Sequence, residues 1–566
     1  MKLSDYIANR LKQETAVVFG YQGSSVSHLI DSLCSVGVPY VQNYHEQASA
    51  FAACGYAEAS HALGVAVSCS GPGATNLVTG IANAYYDSLP CLFIAGQVST
   101  KELKDNGSRQ NGFQETKIID IVRTITKYSV EILDPQTIKY ELEKCIALAK
   151  QGRRGPVFIS LPHDIQSAEI DIDSLTDYQP TEETNAPFNA EQLITALQKS
   201  KRPLMIIGGG AYELNTSKSY QSFVATYNLP FVASLKGLNN SKFNEDFQGF
   251  IGVYGNRLAN LAVYTSDLLL VLGTRLDGRQ TGGIVENFAP HATIIHVDTD
   301  SHELNREVQA TIAVNSTCSA FFDALEPFLG DKTHTYTNWK ATLAEISHRC
   351  KAGYTKEGVN PNAFVAHLSE LFQHEAVVVS TDVGQNQLWV AQSVKLSPQS
   401  AFLTSGGHGS MGYSLPSIIG GYYAFQPRKQ LIAYMGDGGF QMNSQELETL
   451  RREKIPAIVV VFVNNALGLI RDYQSKALGN RVNGSVDGFS VPNLSKMAQA
   501  YEMDYLKIAT TNFSTLTKDH LKGKRILIEV IISPLSEINP EVAYKRAIYD
   551  QRPFIDLSFL EKIRQD

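Results

Sequence analysis

The sequence predicts an α/β protein built from three doubly wound parallel-sheet units. Two observations lead there: apolar runs of strand length alternate with helix-period segments, and the alternation starts afresh twice after a polar stretch. Length agrees, because 566 residues exceed one ordinary core, and at roughly 100 to 200 residues per domain they suggest about three. The chain opens on MKLSDYIANRLKQET, an amphipathic helix with acids in it and no apolar core of signal-peptide length. The runs AVVFG, GVAVSCS, CLFIAGQV and PVFISLP follow, separated by helical patterns such as VSHLIDSL and NLVTGIANAYY, and define a first unit over 1–172. A polar stretch over 172–192 reads as a linker. PLMIIGGG, PFVAS, DLLLVLGTR and TIIHVD then build a middle unit over 190–335, and a weaker boundary falls over 331–361. The third unit, 360–540, carries AVVVSTDVG, QLIAYMGDGG, AIVVVFVNN and RILIEVII, and 541–566 remains as a tail. A duplicated fold in the first and third units fits this pattern, although no sequence identity between them is visible.

Composition bounds the function. A chain 43% hydrophobic and 19% charged, with a net charge of -7, has no basic field for nucleic acid or an anionic membrane surface. No stretch approaches the ~20 apolar residues of a membrane span. Seven scattered cysteines without a C-x-x-C pair read as reduced thiols of a cytoplasmic protein. There is no G-x-S-x-G elbow and no His/Cys cluster at zinc spacing.

In open parallel sheets, ligands sit beyond the carboxyl ends of the strands, so the residues just after the apolar runs carry the chemistry. Asp437, between Gly436 and Gly438, follows LIAYM, and 27 residues later Asn464-Asn465 closes AIVVVFV. The segment between, FQMNSQELETLRREKIP, reads as one helix with Asn443 as a capping residue. A carboxylate and an amide oxygen at two neighbouring strand ends suit a hard cation such as magnesium, whose shell diphosphate oxygens complete. The residues alone leave a second reading open, a glycine turn with a helix-capping acid. Glu46, at the start of the helical segment after YH, has the parallel alternative of compensating the helix dipole.

The G-D-G to N-N block resembles the metal-diphosphate motif of thiamin-diphosphate-dependent enzymes, and YHEQASAFAACGYA resembles that family's glutamate-bearing helix. SGPGATNLVTGIANAYYDSLPCLFIAGQV, GFQETKIIDIVRTITKY, DVGQNQLWVAQ and SGGHGSMGYSLPSIIG narrow the resemblance to the acetolactate synthase group. The resemblance implies thiamin diphosphate and Mg2+ as cofactors, with Asp437, Asn464 and the Ala466 carbonyl as metal ligands. It implies Glu46 as the acid at the aminopyrimidine ring. It further implies that Phe113 and Gln114 shape the reaction site, and that Tyr21, Gly23, Asn76, Gly384, Gln385, Gly409, Met411, Gly436 and Gly438 hold the cofactor, with Met411 as the wedge that bends it. In the middle unit GGGA, SLKGL, GVYG and GTRLDGRQTG resemble segments that bind FAD as a structural part. They assign Gly209, Gly210, Leu235, Lys236, Gly252, Tyr254, Gly273, Arg275, Asp277, Arg279 and Asp298 to it, with an ADP-filled or empty cleft as the alternative. A homodimer or homotetramer with sites between subunits is further implied.

Some positions depart from the group: His163 stands where a lysine is usual, Leu469, Ile470 and Tyr473 fill the segment that carries a tryptophan, Gly112 replaces an alanine, and Tyr21-Gln22-Gly23-Ser24 replaces Y-P-G-G. The expected reaction is decarboxylation of pyruvate and transfer of the two-carbon unit to a ketone. The departures lean toward a nucleotide-linked 4-ketosugar as acceptor, with pyruvate or 2-ketobutyrate as the alternative and a pyruvate oxidase-type flavoenzyme as a further one.

Overall fold

The computed structural model describes all residues except 105, 182–184, 242, 351–356, 511, 544, 561–562 and 564–566, so parts of both expected linkers and of the tail lie outside the described residues. Three six-stranded sheets, every neighbouring pair parallel, form the architecture. The first contains β1 Val18–Gly20, β2 Tyr40–Gln42, β3 Gly64–Ser68, β4 Cys91–Gln97, β5 Tyr128–Glu131 and β6 Val157–Pro162, in the order β2-β1-β3-β4-β6-β5. The second contains β7 Pro203–Ile207, β8 Phe231–Ala233, β9 Phe247–Phe250, β10 Leu268–Leu272, β11 Thr293–Asp298 and β12 Ile312–Asn315, ordered β12-β11-β10-β7-β8-β9. The third contains β13 Val377–Thr381, β14 Ala401–Thr404, β15 Gln430–Gly436, β16 Ala457–Val463, β17 Asp504–Ile508 and β18 Ile526–Ile531, ordered β14-β13-β15-β16-β18-β17. The central strands form because β-branched runs such as AIVVVFV are buried on both faces, as a sheet covered by helices on each side requires.

Counted from each unit's own first strand, the first and third sheets share the order 2-1-3-4-6-5, and the middle sheet follows 3-2-1-4-5-6. The duplication that sequence identity hid is therefore present in the topology. The helices after the second strand of each outer unit, Glu46–Ser60 and Ser414–Tyr423, pack directly on one another. Glycines permit the close crossing: a Cβ on Gly420 would stand 1.9 Å from the Ala52 carbonyl oxygen, and one on Gly55 would stand 2.2 Å from that of Ser417. Phe51 and Tyr56 of the first unit and Ile418, Leu431 and Met435 of the third consequently belong to one apolar core.

Two readings need correction. The segment after Asp437 is not one helix but two, Asp437–Met442 and Glu446–Arg452. Asn443 does not cap: its side chain donates to the Gly412 carbonyl at 2.9 Å and to Gln47 Oε1 at 3.3 Å, which breaks the helix where the two outer units meet. The tail is likewise no appendage, since Ile548 and Leu560 pack into the middle unit and Arg257 donates to the carbonyls of Gln551 and Pro553. No described helix is long and apolar enough to cross a membrane.

Candidate active site

Asp437 directly follows β15 as the first residue of its helix and is almost fully buried. Its Oδ2 accepts the backbone N–H groups of Asn464 at 3.1 Å and Asn465 at 2.8 Å, so the ends of the adjacent strands β15 and β16 are tied together by this carboxylate. Burial pushes its pKa up to about 6 against those hydrogen bonds. Asn464 Oδ1 accepts from the Ala466 amide at 3.2 Å, which places both expected oxygen donors at one strand end. Among the described residues no group of three or more His, Cys, Asp or Glu could hold a metal. A single carboxylate with amide and carbonyl oxygens is a poor shell for a tightly held ion, but it fits magnesium that shares its coordination with a diphosphate.

Other expected residues gather around this point. Gly384 (φ 141°) caps the Gln385–Ser393 helix, and Gly409 (φ 71°) occupies the left-handed region that favours glycine. Gln385 Nε2 donates to Asp472 at 2.7 Å and to the Ser536 carbonyl at 2.9 Å, and its Oε1 lies so close to Gly468 that a Cβ there would stand 2.0 Å away. A Cβ on Gly438 would meet Leu467 at 2.5 Å and the Met411 methyl at 3.5 Å, which puts Met411 directly beside the Gly-Asp-Gly turn. A Cβ on Gly436 would face Asn386 Oδ1 at 3.3 Å.

Glu46 is the first residue of its helix, after His45, whose ring accepts the Gln47 amide. Its carboxylate is buried and accepts from Asn76 Nδ2 at 3.0 Å, and the Gly73 backbone lies against it. Gly23 packs on Cys69 of the same loop, and Gln114, with φ at 65°, packs on Gly71. Glu46, Asn76, Gly23 and Gln114 thus surround the Cys69–Gly73 turn, while Tyr21 is half-exposed and Phe113 is 86% exposed. The contacts of Glu46 run to its own unit and those of Asp437 to the third. The two acids are not in contact, and the bond from Asn443 to Gln47 links their surroundings.

The expected FAD segments line one cleft, whose walls include Gly209, Gly210, Leu235, Lys236, Tyr254, Gly273, Arg275, Asp277, Arg279 and Asp298. It opens between β7 and β10, where the strand order reverses, which is where such sheets bind ligands. The two glycine turns touch: a Cβ on Gly210 would stand 3.0 Å from Gly273 Cα. Gly252 is not among the lining residues; its backbone packs on the Arg279 carbonyl behind the wall. Arg275 pairs with Asp277 at 2.9 Å, and burial pushes Asp298 up to about 6.

Sequence reasoning overlooked the supports. Asp382, after β13, is buried, accepts the amides of Gly412 and Ser414 at 3.0 Å each, and is pushed up to about 6 by burial. Glu446 accepts from Asn43 Nδ2 and the Tyr44 amide, both at 2.8 Å, and so holds the turn that leads into Glu46. Both acids follow or lie within expected elements, but their partners are distant in sequence and only the fold reveals them.

Comparison with known proteins agrees with this geometry. Three family profiles match: the N-terminal TPP binding domain of thiamine pyrophosphate enzymes over 1–122, their central domain over 190–325, and their C-terminal TPP binding domain over 382–527. The chain is a thiamin-diphosphate-dependent enzyme. It is 35% identical to the acetolactate synthase large subunit of Lactococcus lactis, over 93% of this chain and 91% of that one. It is 33% identical to the acetolactate synthase isozyme 2 large subunit of Escherichia coli (84% and 85% covered) and to acetolactate synthase 1, chloroplastic, of Nicotiana tabacum (88% and 76% covered). The chain belongs to the acetolactate synthase large-subunit family.

Proposed function

We propose that the protein decarboxylates pyruvate and joins the two-carbon unit to a second keto acid, with pyruvate as the acceptor and 2-acetolactate as the product. The observation that carries this reading is the buried Asp437, bonded to the amides at the end of β16, in a donor set that needs a diphosphate to complete a cation shell. Thiamin diphosphate, when bound, supplies a carbon nucleophile that adds to the keto group and takes up the electron pair released with CO2. Asp437, Asn464 and the Ala466 carbonyl would hold Mg2+. Glu46 would hold a proton at the pyrimidine nitrogen, with Asn76 fixing its carboxyl. Met411, beside Gly438, would supply an apolar contact to the cofactor next to the Gly-Asp-Gly turn.

The nucleotide-sugar acceptor expected from the sequence gives way to pyruvate. The relatives that span most of the chain are acetolactate synthases. The exposed Phe113 supports a second copy of the chain completing the site, in a homodimer or homotetramer. The strand order and touching glycine turns of the middle unit support a dinucleotide such as FAD in its cleft. Incubation of the purified protein with pyruvate, thiamin diphosphate and Mg2+ is expected to yield CO2 and 2-acetolactate by mass spectrometry. Turnover only when a 4-ketosugar nucleotide is added would overturn the acceptor assignment.

A further inference from the structure

A buried ion cluster joins the three units. Lys236, after β8, donates to Glu58 of the first unit and lies 3.4 Å from Asp87 of that unit, and it donates to the Thr404 carbonyl of the third at 2.8 Å. The side chains of Glu58 and Asp87 are 4% and 1% exposed. Asp87 in turn accepts the amides of Gly406 at 3.1 Å and Gly407 at 2.6 Å, and Glu58 Oε2 accepts from the Tyr413 hydroxyl at 3.1 Å. Ser405 donates to Asn83 at 2.5 Å and accepts the Ser410 amide at 2.8 Å. The segment from Thr404 to Tyr413, which carries Gly409 and Met411, is therefore held from outside its own unit at both ends, over residues 404–408 and at Tyr413, while Asp382 and Asn443 of its own unit hold Gly412 between them. Charges removed from water at such cost need their partners, so the cluster has little freedom to loosen at one end only.

The same residues face the central cleft: Asp87, Lys236, Gly406 and Gly407 all line it, beside Tyr86, whose ring stacks on His408 at 5.4 Å. We propose that Asp87 and Lys236 are positioning residues through which an occupant of the central cleft sets the Gly409–Met411 segment, so that thiamin diphosphate binds more tightly when the cleft is filled. The inference rests on the dinucleotide reading of the cleft and goes beyond it: the cleft's ligand acts on the thiamin site through the two charges of Asp87 and Lys236, without electron transfer. By linkage the effect is reciprocal, and thiamin diphosphate must tighten the cleft's ligand by the same factor.

The test is equilibrium binding of thiamin diphosphate, in excess Mg2+ and followed by tryptophan fluorescence, to the full-length protein stripped of nucleotide and to the same protein saturated with FAD. FAD is expected to lower the Kd for thiamin diphosphate by about fivefold or more, within the usual range of coupling between sites. In Asp87→Asn and Lys236→Met, at saturating FAD, that factor is expected to fall below about two, and Lys236→Arg is expected to restore it. Equal affinity with and without bound FAD in the wild type would overturn this proposal and leave the cleft reading intact; failure of FAD to bind at all would overturn both. Full coupling retained in Asp87→Asn would remove the ion cluster from the route. Should Lys236→Met not fold, the isosteric Asp87→Asn carries the decision alone.

Discussion

The first and third units have the same strand order and opposite chemistry. In the third, the carboxylate stands after the third strand, where Asp437 bonds to the end of the neighbouring strand. In the first, the corresponding strand ends in Cys69-Ser70-Gly71, without a charge, and the acid appears instead after the second strand, at Glu46. The first strands differ too: β13 leads to Asp382, which fixes the Met411 segment, and β1 leads to Tyr21 and Gly23. On the proposed function, the difference teaches that one scaffold, used twice, serves a metal and diphosphate with one acid and a ring nitrogen with the other. Fold alone assigned neither role.

The sharpest way to break the comparison is to remove each acid's charge. Glu46→Gln is expected to retain cofactor binding and lose turnover by about 10²- to 10⁴-fold, as for a group that moves a proton, whereas Asp437→Asn is expected to lose Mg2+-dependent cofactor binding itself. Calorimetric titration beside initial rates separates the two, and near-normal rates in Glu46→Gln would end the proton assignment. A smaller effect tests the shared core. Gly420→Ala pushes a methyl against the Ala52 carbonyl at 1.9 Å, with backbone on both sides, and is expected to cost about 1 to 3 kcal/mol in denaturant unfolding. An unchanged midpoint would show that the crossing can relax.

The smallest effect concerns Asp382, the acid that the first unit lacks. Burial raises it to about 6 from an ordinary value of 3.8, so its contribution to stability is fully present below about pH 4 and is lost as pH rises through about 6. Raising the pH from 5 to 7 should therefore destabilise the wild type more than Asp382→Asn, by roughly 1 kcal/mol. Parallel denaturation curves at the two pH values check the sign.

The sequence made the interior of the molecule legible and its edges not. The apolar runs correspond to β1, β3, β4 and β6, to β7, β8, β10 and β11, and to β13, β15, β16 and β18, which are the interior strands of the three sheets. The six strands of these three sheets that went unread are all edge strands. A strand with neighbours on both sides and helices on both faces must be apolar throughout, whereas an edge strand such as DYLKI of β17 keeps polar residues and loses the pattern. β14 is the informative exception: AFLT is wholly buried because the middle unit covers that edge, with Asn239 Oδ1 accepting the Phe402 amide at 2.8 Å, yet four residues are too few to recognise. The site divides the same way. Asp437 and Asn464 follow interior strands and could be found by spacing. Glu446 read as one more helical acid, because nothing local points from it to Asn43, 403 positions away.

The glycine crossing of the two outer helices has a consequence for how the polypeptide is laid out. Spatial neighbours are the first and last thirds of the chain, although the whole middle unit separates them in sequence. The two connections act as leashes: severed, they would release no free-standing piece, because the flanking thirds would still share one apolar interior and be clasped by Lys236 at their seam.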